Sequence, residues 1–335
     1  MSTLLDASLG FAAESTFGTS VTPARWLEYS KEGLDFKPNR VQGGGFRVGS
    51  RVARANRRAT VTSEAGGSVE LDVLTKGLGL WWQMLMGGGS STLVSGSTYQ
   101  QLFTLGDTLP SFTLQKGVPR VNVDGSATVD PITFTGCTVG DFELSGGADL
   151  LKLKTTVDAQ AVTTATALAA PSFTTGANLL SFAGATIYGG TLTAPTTTAL
   201  ASGATPIANV KSWSLKVSHG LKADRYLFGL GGKKARQVPL NREVSGKLEV
   251  EYSDTAFRDA FLADTPLTLV LTYTGGALST GVETFQAVVP EIRLDGELPK
   301  GEGDIAVMSC GFTGLDNLTA AQPLWLVTRT SDAAL

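Results

Sequence analysis

One seven-residue pattern occurs twice and constrains the fold more than anything else in the chain. Gly67-Ser68-Val69-Glu70-Leu71-Asp72-Val73 and Gly246-Lys247-Leu248-Glu249-Val250-Glu251-Tyr252 both alternate polar and apolar residues. Successive side chains on a strand point to opposite faces, so each copy has a carboxylate face and an aliphatic or aromatic face. A long basic stretch containing glycines precedes each copy, and a short apolar run of helical character follows it. Recurrence of the flanking elements in the same order predicts one structural unit, duplicated and fused.

At 335 residues the chain suits two domains, each able to bury its own core. Only 17% of residues are charged and 40 are glycine, which favours a β-rich protein with many turns. A net charge of −3 argues against bulk affinity for nucleic acid. Cys137 and Cys310 show no CxxC spacing and no nearby histidine, so buried reduced thiols are expected rather than a metal cage or disulfide framework. Met1 to Phe11 lacks the basic start and apolar core of a signal peptide, and no apolar run reaches the roughly 18 residues of a membrane span. The expectation is a protein made and kept in the cytosol, leaving only by lysis.

Along the chain, a strand is expected to begin at Trp26 and run past Gly33 towards Phe36. Residues 38–66 read as a long protruding loop, with Arg40, Arg47, Arg51, Arg54, Arg57 and Arg58 among Gly43, Gly44, Gly45 and Gly49. Leu74 to Met86 suits a short helix, weakened at Gly77 and Gly79 and ended by Gly87-Gly88-Gly89. Residues 92–110 form a loop or hairpin. Strands follow at Phe112–Gln115, Phe134–Val139 and Asp141–Leu144, with a break at Gly140, and Leu151–Val157 alternates cleanly. From about Ala159 to Asn209 the chain turns to Ala, Thr, Ser, Gly and Pro; Ala194–Thr198 and Ala201–Pro206 read as loop, with one strand within Leu179–Tyr188.

The second unit then repeats the order. Val210–Val217 is a strand, and residues 218–243 form a basic loop with Lys222, Arg225, Lys233, Lys234, Arg236 and Arg242. After the second acidic strand, a helix capped by Ser253 or Asp254 places Phe257 and Phe261 on one face. Leu267–Tyr273 is a strand, Val288–Leu294 answers Val139–Leu144, Asp304–Met308 answers Asp149–Leu153, and Leu324–Val327 closes the chain. The expected division is a first domain over 1–160, a connector over 161–205 that contributes a strand to the second domain, and a second domain over 206–335. Trp81, Trp82, Phe257 and Phe261 are the expected helix residues that meet the apolar faces of the acidic strands.

No constellation points to catalysis, a cofactor or a metal. His219, the only histidine, reads as a solvated loop residue, and no G-x-S-x-G elbow accompanies it. Gly229–Lys234 lacks the spacing of a phosphate loop and precedes a strand instead of a helix. The carboxylate pairs Glu70/Asp72 and Glu249/Glu251 have no further ligand cluster. Asn317-Leu318-Thr319 is a formal glycosylation sequon without a secretion signal.

The ordered set of elements, with the opening G-F-A-A-E-S-T-F-G-T-S-V-T-P-A-R-W-L-E-Y and the stretch L-K-A-D-R-Y-L, resembles the major tail tube proteins of long-tailed, non-contractile bacteriophages. More narrowly it resembles the two-domain type common among phages of actinobacteria. The resemblance covers nearly the whole chain and departs most in the A-P-T-T-T connector. It implies a mainly β protein of two tandem β-sandwich or barrel domains, each with a flanking short helix and a long loop. It also implies rings that stack into a tube through which DNA passes. A duplicated chain would close such a ring from three copies with pseudo-sixfold symmetry. The loops bearing Arg47, Arg51, Arg54, Arg57, Arg58, Lys222, Arg225, Lys233, Lys234 and Arg236 would join stacked rings, and Glu70, Asp72, Glu249 and Glu251 would face the lumen. Partners would be the chain itself, a tape measure protein inside the tube, and tail terminator and distal tail proteins at its ends. The setting would be the virion tail, with assembly in the host cytoplasm. The competing class is a surface or secreted β-sandwich adhesin or carbohydrate-binding module, which would lack a repeated basic loop.

Overall fold

The structure, a computed structural model, describes residues 4–49, 51–301 and 305–335. The chain opens with β1 (Ser8–Ala13), β2 (Arg25–Trp26), β3 (Tyr29–Glu32), β4 (Asp35–Gln42) and β5 (Arg58–Asp72). The expected loop over 38–66 is therefore a β-arm: β4 pairs with the first half of β5 from Asp35↔Gly66 to Gln42↔Arg58. The two strands are joined through a tip that includes a short 3-10 turn at Ala55–Arg57, and residues of high strand propensity (Val41, Thr60, Val61, Thr62) favour the ribbon. At the far end of β5, Val69 and Leu71 are buried while Ser68, Glu70 and Asp72 lie half-buried on the opposite face.

Helix α1 (Gly79–Met86) is shorter than the apolar run suggests. Gly77 takes a left-handed φ of 81° and donates its N–H to Asp332 at 2.7 Å, which holds the preceding residues out of the helix. The glycines after the helix do not open into a loop. They start β6 (Gly87–Ser95), which forms a hairpin with β7 (Thr98–Leu105). Then come β8 (Phe112–Val121), the twenty-residue β9 (Ala127–Gly146), β10 (Lys152–Ala159) and β11 (Ala161–Thr163). β9 runs unbroken through Gly140, which is absorbed as a bulge opposite Thr156/Val157.

Within the connector, β12 (Ala185–Thr193) and β13 (Ser202–Ile207) are both strands, so the reading of 201–206 as loop is corrected. β13 hydrogen-bonds to β12, which in turn pairs with β16 (Leu267–Ala277). The remaining elements are β14 (Val210–Ser218), β15 (Glu243–Glu251), α2 (Ala256–Leu262), β17 (Val282–Gly296), β18 (Val307–Gly314) and β19 (Trp325–Thr330). Asp304, expected to begin the strand of β18, lies outside the described residues.

Pairing recurs strand for strand. The first half has the neighbour order β2-β1-β8-β9-β10-β5-β3, with β4 continuing β3 along β5. The second half has β13-β12-β16-β17-β18-β15-β14. Even the irregularities match. Tyr29 pairs with Leu71 and Lys31 with Glu70, skipping Ser30; Val210 pairs with Val250 and Ser212 with Glu249, skipping Lys211. The opening glycines of the acidic strands meet equivalent neighbours: a Cβ on Gly67 would lie 2.1 Å from the Gly33 carbonyl oxygen, and one on Gly246 would lie 2.2 Å from that of Ser214. Backbone approach this close excludes any side chain, which is the physical reason each pattern begins with glycine.

The two halves share one sheet. β9 pairs on its free side with β14, from Asp141↔Ser218 to Gly146↔Trp213, so the central layer runs β3/β4-β5-β10-β9-β14-β15-β18-β17. Behind it, α1 sits where the halves meet. Trp81 packs edge-on against Phe11 at 4.9 Å and Phe112 at 5.5 Å, while Trp82 lies 5.2 Å from Phe285. In α2, Phe257 is buried and Phe261 packs partly buried against the same cluster. The four helix aromatics thus pack into the core behind the central sheet.

His219 corrects another expectation. It is fully buried at the seam between the halves, its Nε2–H donating to the Leu85 carbonyl at 2.7 Å, and Nδ1 has no partner among the described residues. Burial pushes its pKa down from 6.5 to about 4; the Leu85 bond opposes this and Arg242 reinforces it. A neutral native histidine means that protons bind the unfolded state first. Stability is whole above pH 6.5 and falls as pH drops from there to about 4, by about 3 kcal/mol in order of magnitude. We expect His219→Gln to flatten this part of the urea-midpoint profile relative to wild type between pH 7 and 4.5; parallel profiles would refute it.

Candidate functional site: the polar sheet face and the basic arm

The front of the central sheet carries a cross-strand charge ladder. Directly opposed residues run Lys31–Glu70–Lys154–Glu143–Lys216–Ser245–Thr313–Arg293 across eight strands. The neighbouring row reads Asp72–Lys152–Ser145–Ser214–Lys247–Gly311–Asp295. Lys154 Nζ lies 3.2 Å from Glu70 Oε1, and Glu249 accepts a 3.0 Å bond from Ser212 Oγ. Glu70, Asp72, Glu249 and Glu251 therefore do share one polar face, but lysines stand among them. Lys247 and Arg293 belong to this face by their own strand patterns. Lys31, Lys152, Lys154 and Lys216 were missed there, because alternation shows which side of its own strand a residue takes and not which strand lies beside it. Among the described residues no group of three His, Cys, Asp or Glu is placed to hold a metal, and both cysteines are buried free thiols.

The arm projects from one margin of this sheet. Arg47, Arg51, Arg57 and Arg58 are exposed and Arg54 is half-exposed, and with them Phe46, Val48 and Val52 stand almost wholly in solvent. Loop 218–243 packs against the base of the arm: Ser63 N–H donates to the Gly232 carbonyl at 3.1 Å, and Tyr226 Oη–H donates to the Ser63 carbonyl at 3.2 Å. Four of its cations are tied down within the chain. Lys234 is buried on Asp158, Arg236 donates to the Leu109 carbonyl and lies over the Phe17 ring, Arg225 donates to the Arg236 carbonyl, and Lys222 pairs with Asp224. Lys233 is exposed beside them, and Phe228 extends fully into solvent. Spacing could not distinguish anchoring cations from free ones, since both sit among glycines.

A sheet of this breadth, with a polar front, a helix-backed rear and a projecting basic arm, is the setting in which the sequence match carries weight: the sequence model of the phage tail tube protein family matches residues 5–319. The chain belongs to the phage tail tube protein family. None of the curated proteins is significantly similar to it. Membership makes this tail tube protein a structural component of the virion tail, built for self-assembly.

Proposed function

We propose that this chain is the repeating subunit of a tail tube, with three copies closing a ring of six equivalent units and rings stacking into a conduit for DNA. The observation that carries the reading is the seam between β9 and β14. There the central sheet passes from one half of the chain into the other, and among the described residues the outer side of β3/β4 at one end and of Arg293–Gly296, the last residues of β17, at the other carries no strand. Unpaired edges invite pairing, and a closed ring removes them. The chain divides into duplicated units that meet at this seam, the second beginning in the connector with β12. The ladder face lines the lumen, with Glu70, Asp72, Glu249 and Glu251 set towards the passing DNA. The arm, with Arg47, Arg51, Arg54, Arg57 and Arg58, reaches the adjacent ring, and loop 218–243 supports it with Lys222, Arg225, Lys233, Lys234 and Arg236. A tape measure protein occupies the lumen during assembly in the host cytoplasm, and terminator and distal tail proteins cap the ends.

Electron microscopy of the concentrated protein tests this. We expect hollow tubes whose rings contain three chains around one lumen. Six chains per ring would refute the stoichiometry, and a monomer under all conditions would refute the assembly.

A further inference from the structure

The two free edges of the central sheet are not equally ready to pair. The matched pairings assign β3/β4 to the role of β14, and β17 to that of β9. Phe36 pairs with Ala65 as Val217 pairs with Val244, and Asp295 pairs with Gly311 where Asp141 pairs with Thr156. In the internal seam, Val217 opposes Phe142 and both are buried, and Leu215 opposes Leu144, also buried. Carried to the outer edges, this register sets Lys37 opposite Asp295, Phe36 opposite Gly296 and Leu34 opposite Leu298. The large residue has changed sides, from Phe142 against Val217 to Phe36 against Gly296. Phe36 and Leu298 are 41% and 53% exposed in the lone chain, and this pairing would cover both. Lys37 and Asp295 would form a cross-strand ion pair.

Each edge is held back in the single chain. Gly33 N–H bonds to the Ser68 carbonyl of β5, so Leu34 directs its own backbone groups outwards. Side chains occupy both: Leu34 N–H donates to Glu32 Oε2 at 2.8 Å, and Lys116 Nζ donates to the Leu34 carbonyl at 2.8 Å while pairing with Glu32 at 3.2 Å. A carboxylate and an ammonium thus fill the hydrogen-bonding positions that a neighbouring strand would take. On the other edge β17 stops at Gly296, although the equivalent β9 continues to Gly146 through the residues that make the internal seam. Residues 297–299 have no strand pairing, and Lys300 bridges to Val307.

We propose that the Glu32–Lys116 pair is a removable cap on the β3/β4 edge. It yields to residues 295–300 of a second copy, which become strand only when captured in the register of the internal seam. The inference rests on the ring reading above and adds its register and its gate. The cap keeps newly made chains from joining at random, since an open edge accepts any extended segment. Displacement of the cap by a correctly registered strand replaces two side-chain bonds with backbone bonds and buries Phe36 and Leu298.

The test combines a cross-link with a rate. Tubes assembled from a Lys37→Cys/Asp295→Cys variant and then oxidised should yield covalent species ending at a cyclic trimer. Asp35→Cys/Asp295→Cys, two residues out of register, should give at least tenfold less. Lys116→Met and Glu32→Gln should each shorten the assembly lag several-fold, read by light scattering, with circular dichroism confirming the fold; either variant suffices if the other misfolds. Tubes that form without the in-register cross-link overturn the register and leave the ring reading intact. Unchanged lags in both variants overturn the cap. Failure of wild-type protein to form any ring overturns the ring reading and this inference together.

Discussion

A chain whose residues 43–57 are replaced by Asn-Gly, joining Gln42 directly to Arg58, is expected to fold normally and form no tubes. Gln42 and Arg58 are a paired position of the β4/β5 ribbon, and Asn-Gly suits the tight turn such a ribbon needs. The described residues among those removed are exposed apart from Arg54, so their loss takes no buried side chain from the core. Their loss at an interface is another matter. Phe46, Val48 and Val52 each gain about 1.5–3 kcal/mol on full burial, whereas an exposed ion pair contributes about 0.2–1 kcal/mol. The apolar side chains should therefore dominate ring stacking, with the arginines setting orientation. Phe46→Ser should weaken polymerisation more than Arg51→Ala, measured as the critical concentration for pelleting tubes. Normal tubes from the shortened chain would end the proposal that the arm joins rings.

Replacing Glu70, Asp72, Glu249 and Glu251 with lysine is expected to slow DNA ejection markedly, and to make it steeply dependent on salt. In the proposed tube, DNA would meet a face on which carboxylates stand among lysines, so phosphates would find no continuous basic track. Reversal changes each chain by eight units of charge and places lysine opposite Lys31, Lys152 and Lys154. The resulting track binds phosphate with counterion release, so retention weakens as salt rises. Like charges directly opposed on a sheet also destabilise it, by roughly 0.2–1 kcal/mol per pair, so tube formation must be confirmed first. The corresponding glutamine and asparagine variants keep the shape and remove only the carboxylate charge; they should fall between wild type and the lysine variant. Ejection at wild-type speed in low salt would sink the lumen assignment.

Alternation along Gly67–Val73 and Gly246–Tyr252 determined two strands, the face each buries and the face it leaves polar, because period-two patterning is a property of one strand alone. Order along the chain likewise suggested a repeated unit, and i, i+4 spacing set Phe257 and Phe261 on one helix face. The arm was misjudged as a loop because its strands bury little on either side, so no apolar period marks them. Ser202–Ile207 was misread for the same reason: Gly, Ala, Thr and Pro form a strand there because β12 offers a pairing edge, and propensity says little about that. His219 was placed in solvent since nothing in its neighbours announces that the carbonyl of Leu85, far away in the chain, closes over it. What tertiary structure alone decided is adjacency: that β9 meets β14, that lysines from other strands stand among the four carboxylates, and that Glu32 and Lys116 cap an edge. Side-chain direction is encoded locally, residue by residue. Strand neighbours are chosen by the burial of the whole sheet against its helices, and no local pattern carries that choice.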